Sequence, residues 1–402
     1  MGPGALAAVG GLLGALYAGL NLQLDLSIWS YYLLCAGGFV TLLRAGSYLP
    51  LTENEKTGLS ILLVFFLVSI LSYWINGMPA DGSVVVYELH AKFLFAIGAY
   101  YLFRGHFIPD RLIWLLAIGI SFLLFVVALM DLNAASLMAS VKPAFQPLVF
   151  GAEALTMVAL IMAFRDDWSL KRLPRMLARL GILAALAAIW LRGDDRVWLA
   201  LPMVLGLYLL SRRAWRSVLV PIVLLTLMAV AVFLMTQLPV LQARWAAMPA
   251  TTSESAPAAW VTQPQLWQAA WTIIREQPLL GVGAGGFQTA MQSLVDGGNW
   301  PQALLGYVGP HNQYLQAWAS HGIGGLVTVV LLILAPFLYC LRVLRASAYR
   351  DVRQVALAGM MVSAIFAVLC FVDDALATKS MILLYLITLA LLLGQIRQRS
   401  RL

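Results

Sequence analysis

Charge is what this chain has least of. Only 11% of its 402 residues are charged, against about a quarter in a soluble globular domain, while 62% are hydrophobic and the mean hydropathy is +0.86. That balance excludes an ordinary soluble fold and predicts an all-α polytopic membrane protein, because hydrocarbon leaves backbone N–H and C=O groups without partners unless a helix pairs them internally. Cysteine is scarcer still: Cys35, Cys340 and Cys370 fall in apolar runs, are odd in number and lack metal-ligand spacing, so no disulfide framework is expected. There is no H-E-x-x-H, no Cys cluster and no D-x-D with room around it, and neither a metal nor a cofactor is expected. The opening MGPGALAAVGGLLGALYAGL has no basic region and no small-residue cleavage site, so it is read as a retained first span, and MGPGAL lacks the sixth-position Ser or Thr of a myristoylation signal.

What is present is apolar runs. A span needs roughly 20 mostly apolar residues, and twelve such runs are expected near 4–23, 27–46, 57–75, 85–103, 110–131, 144–164, 175–191, 196–211, 215–238, 313–341, 352–372 and 376–396. The chain then divides into spans one to nine (1–238), a large loop (239–312) and spans ten to twelve with a short tail (313–402).

The basic residues give that layout a direction, since Lys and Arg are retained on the cytoplasmic side. With both termini inside, 19 of the 26 basic residues are cytoplasmic, and the other seven share the outer side with eleven of the eighteen acids, leaving that face net −4. The overall +8 and the pI near 9.5 therefore express orientation and give no reason to expect a nucleic-acid partner. The long loop is placed outside.

Within that loop, Leu266, Ala269, Ala270, Ile273 and Ile274 recur at helical spacing beside Trp267 and Trp271, which predicts an amphipathic helix lying on the bilayer or on the spans. A second short helix is expected over 286–295. Between them runs Gly281-Val-Gly283-Ala-Gly285-Gly286, which fits G-x-G-x-x-G formally. It lacks the strand and βαβ unit of a dinucleotide site, so it reads as a tight turn with positive φ whose N–H groups are available to touch a phosphate.

Of the four histidines, only His311 combines an outer location with an unusual neighbourhood, GPHNQYLQAWASHGIGGL. Pro310 suits the first turn of the tenth span, whose start then presents His311, Asn312, Gln313 and Tyr314. On a continuous helix Gly322 returns to within roughly 20° of the face of His311, where small residues would let another helix approach. A lone histidine is normally an interfacial cap. Here, however, His311, Asn312, nine residues, Gly322, two residues and Gly325 fit the pattern His-[Asn/Ser/Gln]-x9-Gly-x-x-[Gly/Thr/Tyr] throughout.

The runs LWQAAWTIIREQPLLGVGAGGF and PHNQYLQAWASHGIGGL resemble the shared C-terminal region of the O-antigen ligase, O-antigen polymerase and bacterial protein O-oligosaccharyltransferase superfamily, over about residues 263–326. The resemblance implies a GT-C-like helical fold and an inverting, metal-independent glycosyltransferase. Such an enzyme moves a glycan from undecaprenyl diphosphate to an acceptor on the periplasmic side of a Gram-negative inner membrane. Its partners would be undecaprenyl-diphosphate-linked O-antigen, a lipid A-core acceptor and membrane lipids.

In that chemistry His311 matches the general base, since neutral imidazole accepts a hydroxyl proton. Arginine forks suit the diphosphate. Arg196 is the closer match to an arginine that the superfamily carries before a Trp-Leu-Ala run, with Arg192 beside it, although both can simply pair with Asp194 and Asp195. The superfamily often has an arginine where this chain has Gln263. The nearest replacements are Arg244 and Arg275, and Arg275 would serve equally as a helix C-cap. Lys92 either snorkels to headgroups or turns inward to an anionic substrate. Asp373 and Asp374 are placed to orient His311, to bind acceptor hydroxyls, or to form a solvated turn, and Asp25 has less support.

Among the relatives, the ligase is favoured because the chain stops shortly after the last span and has one long outer loop. Arg275, ten residues and Gly286 fit a spacing described for polymerases, which stay as the alternative. A transporter is the reading from another class; it would call for midspan ionisable groups, of which Glu153 is the one clear acid.

Overall fold

A computed structural model describes residues 2–21, 26–45, 50–76, 83–137, 146–164, 172–211, 259–298 and 300–400. The ninth expected span, Arg244, Asp25 and the first part of the long loop lie outside the described residues. Among the described residues all regular structure is helical, and eight helices are long and apolar enough to cross a membrane. The chain is an all-α polytopic membrane protein.

The helices are α1 (Pro3–Asn21), α2 (Leu26–Ala45), α3 (Glu53–Asn76), α4 (Ser83–Gly105), α5 (Asp110–Leu137), α6 (Pro147–Ala163), α7 (Arg172–Arg192), α8 (Leu201–Ser211), α9 (Ala259–Glu276), α10 (Gly286–Asp296), α11 (Gln313–Ala346), α12 (Arg350–Val372) and α13 (Lys379–Arg399). A 3-10 segment, Asp195–Ala200, precedes α8 directly. The bundle has an inside and an outside. α6, apolar but for Glu153 and Thr156, is buried from Leu148 to Ala163, and α12 and α13 are nearly as enclosed. α3 instead leaves Leu63, Val64, Leu67, Leu71 and Trp74 exposed, a stripe suited to lipid.

The two ends of the bundle differ in chemistry. At one end Thr52 and Glu55 form a capping box at the start of α3, with Thr52 N–H donating to Glu55 Oε2 at 2.7 Å. Glu55 also meets Arg104 at 2.6 Å and Arg397 at 3.5 Å, and Arg399 pairs with Asp110, so the ends of α4 and α13 and the starts of α3 and α5 are joined by charge. The opposite end carries the start of α11, the α12–α13 connection and the α7–α8 turn.

The amphipathic helix of the long loop is α9. Its predicted apolar set, Leu266, Ala269, Ala270, Ile273 and Ile274, is buried against Phe287, Met291, Leu304, Tyr307 and Ala319. Its apolar face therefore rests on the protein.

One expectation fails in an informative way. α11 is not continuous: Gly322 has φ 65 and ψ −163, so the helix is broken there and the helical-wheel relation between His311 and Gly322 does not hold. At the break the carbonyls of Ala319 and Ser320 accept bonds from the glycine turn, and Ser320 O also accepts from Ser72 Oγ at 3.0 Å. Val282 N–H donates to Ala319 O at 2.8 Å and Gly283 N–H to Ser320 O at 2.9 Å, while Ile323 N–H returns to Pro278 O at 3.0 Å. Close approach at Gly322 is real, but what approaches is the loop backbone at Leu279 and Leu280. Gly281, Gly283 and Gly285 have φ of 68, 87 and 80, as a tight turn requires. The N–H groups of Val282 and Gly283, read from the sequence as phosphate contacts, are engaged in this seam.

Candidate functional site

Three connections converge at the end of the bundle opposite Glu55. The first precedes α11. Asn312, in the extended region at φ −156 and ψ 107, is the N-cap, its side chain accepting from Tyr314 N–H at 3.0 Å and Leu315 N–H at 3.1 Å. The helix therefore begins at Gln313, and Pro310 and His311 lie before it, not in its first turn. His311 has φ 50, the one positive value among the described non-glycine residues. A non-glycine residue held there costs about 1–2 kcal/mol, so the surroundings must impose it.

The second connection is the α12–α13 turn. Asp373 Oδ1 lies 2.9 Å from His311 Nδ1, and Asp373 Oδ1 also accepts the N–H of Asp374 at 2.7 Å. Asp374 accepts the main-chain N–H groups of His311 at 3.2 Å and Asn312 at 3.0 Å, one on each oxygen. Further bonds fasten this turn to α11. Gln313 N–H donates to Asp373 O at 3.2 Å, Leu376 N–H to Gln313 Oε1 at 2.8 Å, Asn312 Nδ2 to Phe371 O at 3.0 Å and Tyr314 OH to Ala367 O at 3.1 Å. The side chains of Asn312, Gln313 and Tyr314 are thus joined to the fold itself.

The third connection is the turn between α7 and α8. Asp194 caps the 3-10 segment through Arg196 N–H, and Val197 is fully buried against Gly151 of α6, where an added Cβ would lie 2.7 Å from it. That packing fixes Arg196. Its guanidinium meets Asp194 Oδ2 at 2.6 Å and Asp373 Oδ2 at 2.6 Å. Arg196 forms the local pair that the sequence allowed and also reaches the carboxylate that contacts His311.

The electrostatics follow from this chain of contacts. Burial pushes the His311 imidazole down, but its hydrogen bond to Asp373 and the charges of Asp373 and Asp374 outweigh burial and Arg196, so its pKa is above the ordinary 6.5. Burial raises the Asp373 carboxyl, yet the bond from His311 and the charge of Arg196 hold it below the ordinary 3.8. Burial and the adjacent Asp373 charge push Asp374 up to about 7. With Nδ1 on a carboxylate, the neutral ring keeps its proton on Nδ1 and its lone pair on Nε2.

Around the imidazole, the Tyr307 ring lies edge-on with centroids 5.6 Å apart, Trp267 and Phe371 form another edge-on pair at 5.6 Å, and Gln263 Nε2 is 3.5 Å from His311 O. Gln263, at the position where an arginine was expected, contacts the His311 main chain. Tyr307 was not singled out in the sequence and had no local signal there, whereas Asp194 was named as a partner for Arg196 and is one.

Other candidates stand differently. Lys92 is fully buried in α4, which excludes snorkelling, and Arg192 closes α7 half-buried. Neither is tied to His311 or Asp373 by the bonds given above. Arg275 is exposed at the end of α9 with its guanidinium 5.6 Å from the centre of the Trp271 ring, so the structure keeps it off the imidazole and beside its own helix.

His311, Asp373 and Asp374 are the one group among the described residues with the composition of a cation site, their ligand atoms lying within 4.8 Å of one another. The donor set fits a metal poorly. All four carboxylate oxygens are committed, to His311 Nδ1, Arg196 and main-chain N–H groups, and a guanidinium already supplies the positive charge.

Residues 180–330 match the family model described as O-antigen ligase. The match takes in Arg192, Arg196, α9, the glycine turn and His311, and stops before Asp373 and Asp374. A Haemophilus influenzae protein described as uncharacterised is 30% identical over 77 residues, 19% of each chain, so this chain spans about a fifth of the length of that curated relative.

Proposed function

We propose that this chain is an O-antigen ligase, a reading supported by the match of residues 180–330 to the family model of that description. In this reading it transfers O-polysaccharide en bloc from undecaprenyl diphosphate to a sugar of lipid A-core at the periplasmic face of the inner membrane. The observation that carries the reaction is the triad of contacts Arg196–Asp373–His311, with imidazole Nδ1 on the carboxylate.

The acceptor hydroxyl oxygen attacks the anomeric carbon, and His311 Nε2 takes its proton as the new C–O bond forms. The bond from the anomeric carbon to the phosphate oxygen breaks on the opposite face, its electron pair leaving with undecaprenyl diphosphate, so the configuration inverts. Asp373 fixes the tautomer and stabilises the imidazolium. Arg196, with Arg192, Arg275, Arg244 and Lys92 as further candidates, neutralises the leaving diphosphate, and the reaction needs no metal ion.

The polymerase is the second reading, favoured by the spacing of Arg275 and Gly286. Deletion separates them: loss of a ligase leaves polymerised glycan on its lipid carrier, and loss of a polymerase leaves single repeats on lipid A-core. The direct test is reconstitution of the purified protein with undecaprenyl-diphosphate-linked glycan and lipid A-core, followed by gel. Transfer is expected with the wild type and in the presence of chelator; its absence, or its loss on chelation, overturns the reading.

A further inference from the structure

His311 needs two kinds of restraint, one on its ring and one on its main chain. Asp373 provides the first. The second is a separate device. The consecutive N–H groups of His311 and Asn312 converge on the two oxygens of Asp374, at 3.2 and 3.0 Å, at the one described non-glycine residue with positive φ. Successive N–H groups aimed at one carboxylate form an anion-binding concavity, and here the anion belongs to the chain itself. Gly309 completes it. A Cβ at Gly309 would fall on Asp374 Oδ2 and lie 3.1 Å from Gln316 Oε1, so a side chain at 309 and the carboxylate of Asp374 exclude one another. Gly309 is not itself in the left-handed region, and its missing side chain is explained by the room the carboxylate takes.

We propose that Asp374 is a positioning residue that clamps the main chain of His311 and Asn312, with Gly309 kept bare to admit its carboxylate, so that Asp373 aims the ring from a backbone that Asp374 holds. This rests on the reading of His311 as general base. Asp374 does not meet the reacting atoms. It sets where the imidazole starts from, and a misplacement of about 1 Å in such a group costs on the order of 100-fold in rate.

Gly309→Ala tests the clamp without changing any ionisable group. The charged and titratable groups facing His311, namely Asp373, Asp374, Arg196 and Tyr307, all remain. In full-length protein reconstituted with undecaprenyl-diphosphate-linked glycan and lipid A-core, Gly309→Ala is expected to lower kcat by about 100-fold with donor KM within about twofold. Any movement of the pH midpoint of its activity should be to lower pH, because a displaced Asp374 carboxylate raises the His311 pKa less. Asp374→Asn, close to isosteric but presenting an amide to one N–H, is expected to lose kcat similarly, and it serves if Gly309→Ala does not fold. His311→Ala is measured alongside. If His311→Ala retains activity, the base assignment fails. If His311→Ala is inactive while Gly309→Ala or Asp374→Asn turns over at the wild-type rate, the clamp alone is wrong.

Discussion

The guanidinium of Arg196 lies 2.6 Å from Asp373, and the same carboxylate lies 2.9 Å from Nδ1 of His311. Three connections distant in sequence are therefore joined through one acid, which raises the pKa of His311 and is itself held low by the imidazole and the guanidinium.

Removing the base comes first. His311→Ala is expected to lower transfer in the reconstituted assay by about 100- to 10,000-fold, the range of general-base contributions. Binding of lipid-linked donor should persist, since the arginines remain. Full turnover by this variant would remove the catalytic assignment.

Asp373 governs the pH dependence. It raises the pKa of His311 through its hydrogen bond and its charge, and the base works only when neutral, so activity rises with pH through that raised value. Asp373→Asn takes both effects away. The rising limb is then expected at lower pH than in the wild type, with kcat reduced by about 10- to 100-fold from loss of the orienting partner. A limb that stays in place, read from kcat/KM against pH, contradicts the pairing.

Arg196 is fixed between two carboxylates, which a lysine cannot reproduce because a single ammonium lacks the planar fork. Arg196→Lys and Arg196→Ala are both expected to lose on the order of 100-fold in kcat. Arg196→Ala should also raise the His311 pKa, the reverse of Asp373→Asn, since the arginine's charge lowers it, whereas Arg196→Lys keeps that charge. Recovery of wild-type kcat by the lysine variant would show that charge alone suffices.

Stability has a pH window of its own. His311 has a raised pKa, so its stabilisation is fully present below 6.5 and is lost as pH rises through the folded value. Asp373 has a lowered one, so its stabilisation is present above 3.8 and is lost as pH falls. The pair is strongest between those limits, and the protection of amides over 309–316, taken relative to their intrinsic exchange rates at each pH, should be greatest there and lower on either side. Protection that is flat with pH in the wild type would mean that the contact does not form in solution.

Much of the framework is legible in the sequence because it rests on local rules. The apolar periodicity of 266–274 gives α9, the glycines at 281–285 give a left-handed turn, and the pattern beginning at His311 marks the start of α11. Contacts made across the fold are not legible in this way. Nothing local to GPHNQ reveals that Asp374 closes on its backbone, that the ring of Tyr307 stands beside the imidazole, or that Glu55 gathers Arg104 and Arg397 at the far end. The break at Gly322 is hidden for a different reason. A glycine inside a long apolar run reads as helix on propensity, and only the carbonyls claimed by Val282 and Gly283 make the interruption favourable.

That interruption is testable. Gly322→Ala places a Cβ against Leu279 O at φ 65, and is expected to cost at least about 2 kcal/mol from strain and displacement. The readout is a lower thermal midpoint in detergent, with a larger effect than Gly324→Ala, whose nearest neighbours are side-chain atoms of Val68 at 3.5 Å or beyond.

The break also resets the helical phase. In an unbroken helix each inserted or deleted residue turns everything on one side of it by about 100° relative to the other, so the direction of the imidazole would depend on the length of the whole span. With Gly322 non-helical and the seam to 278–283 pinning its outer side, the nine residues from Gln313 to His321 keep their own angular origin. An insertion or deletion in α11 beyond Gly322 therefore leaves the bearing of the part that carries the site unchanged.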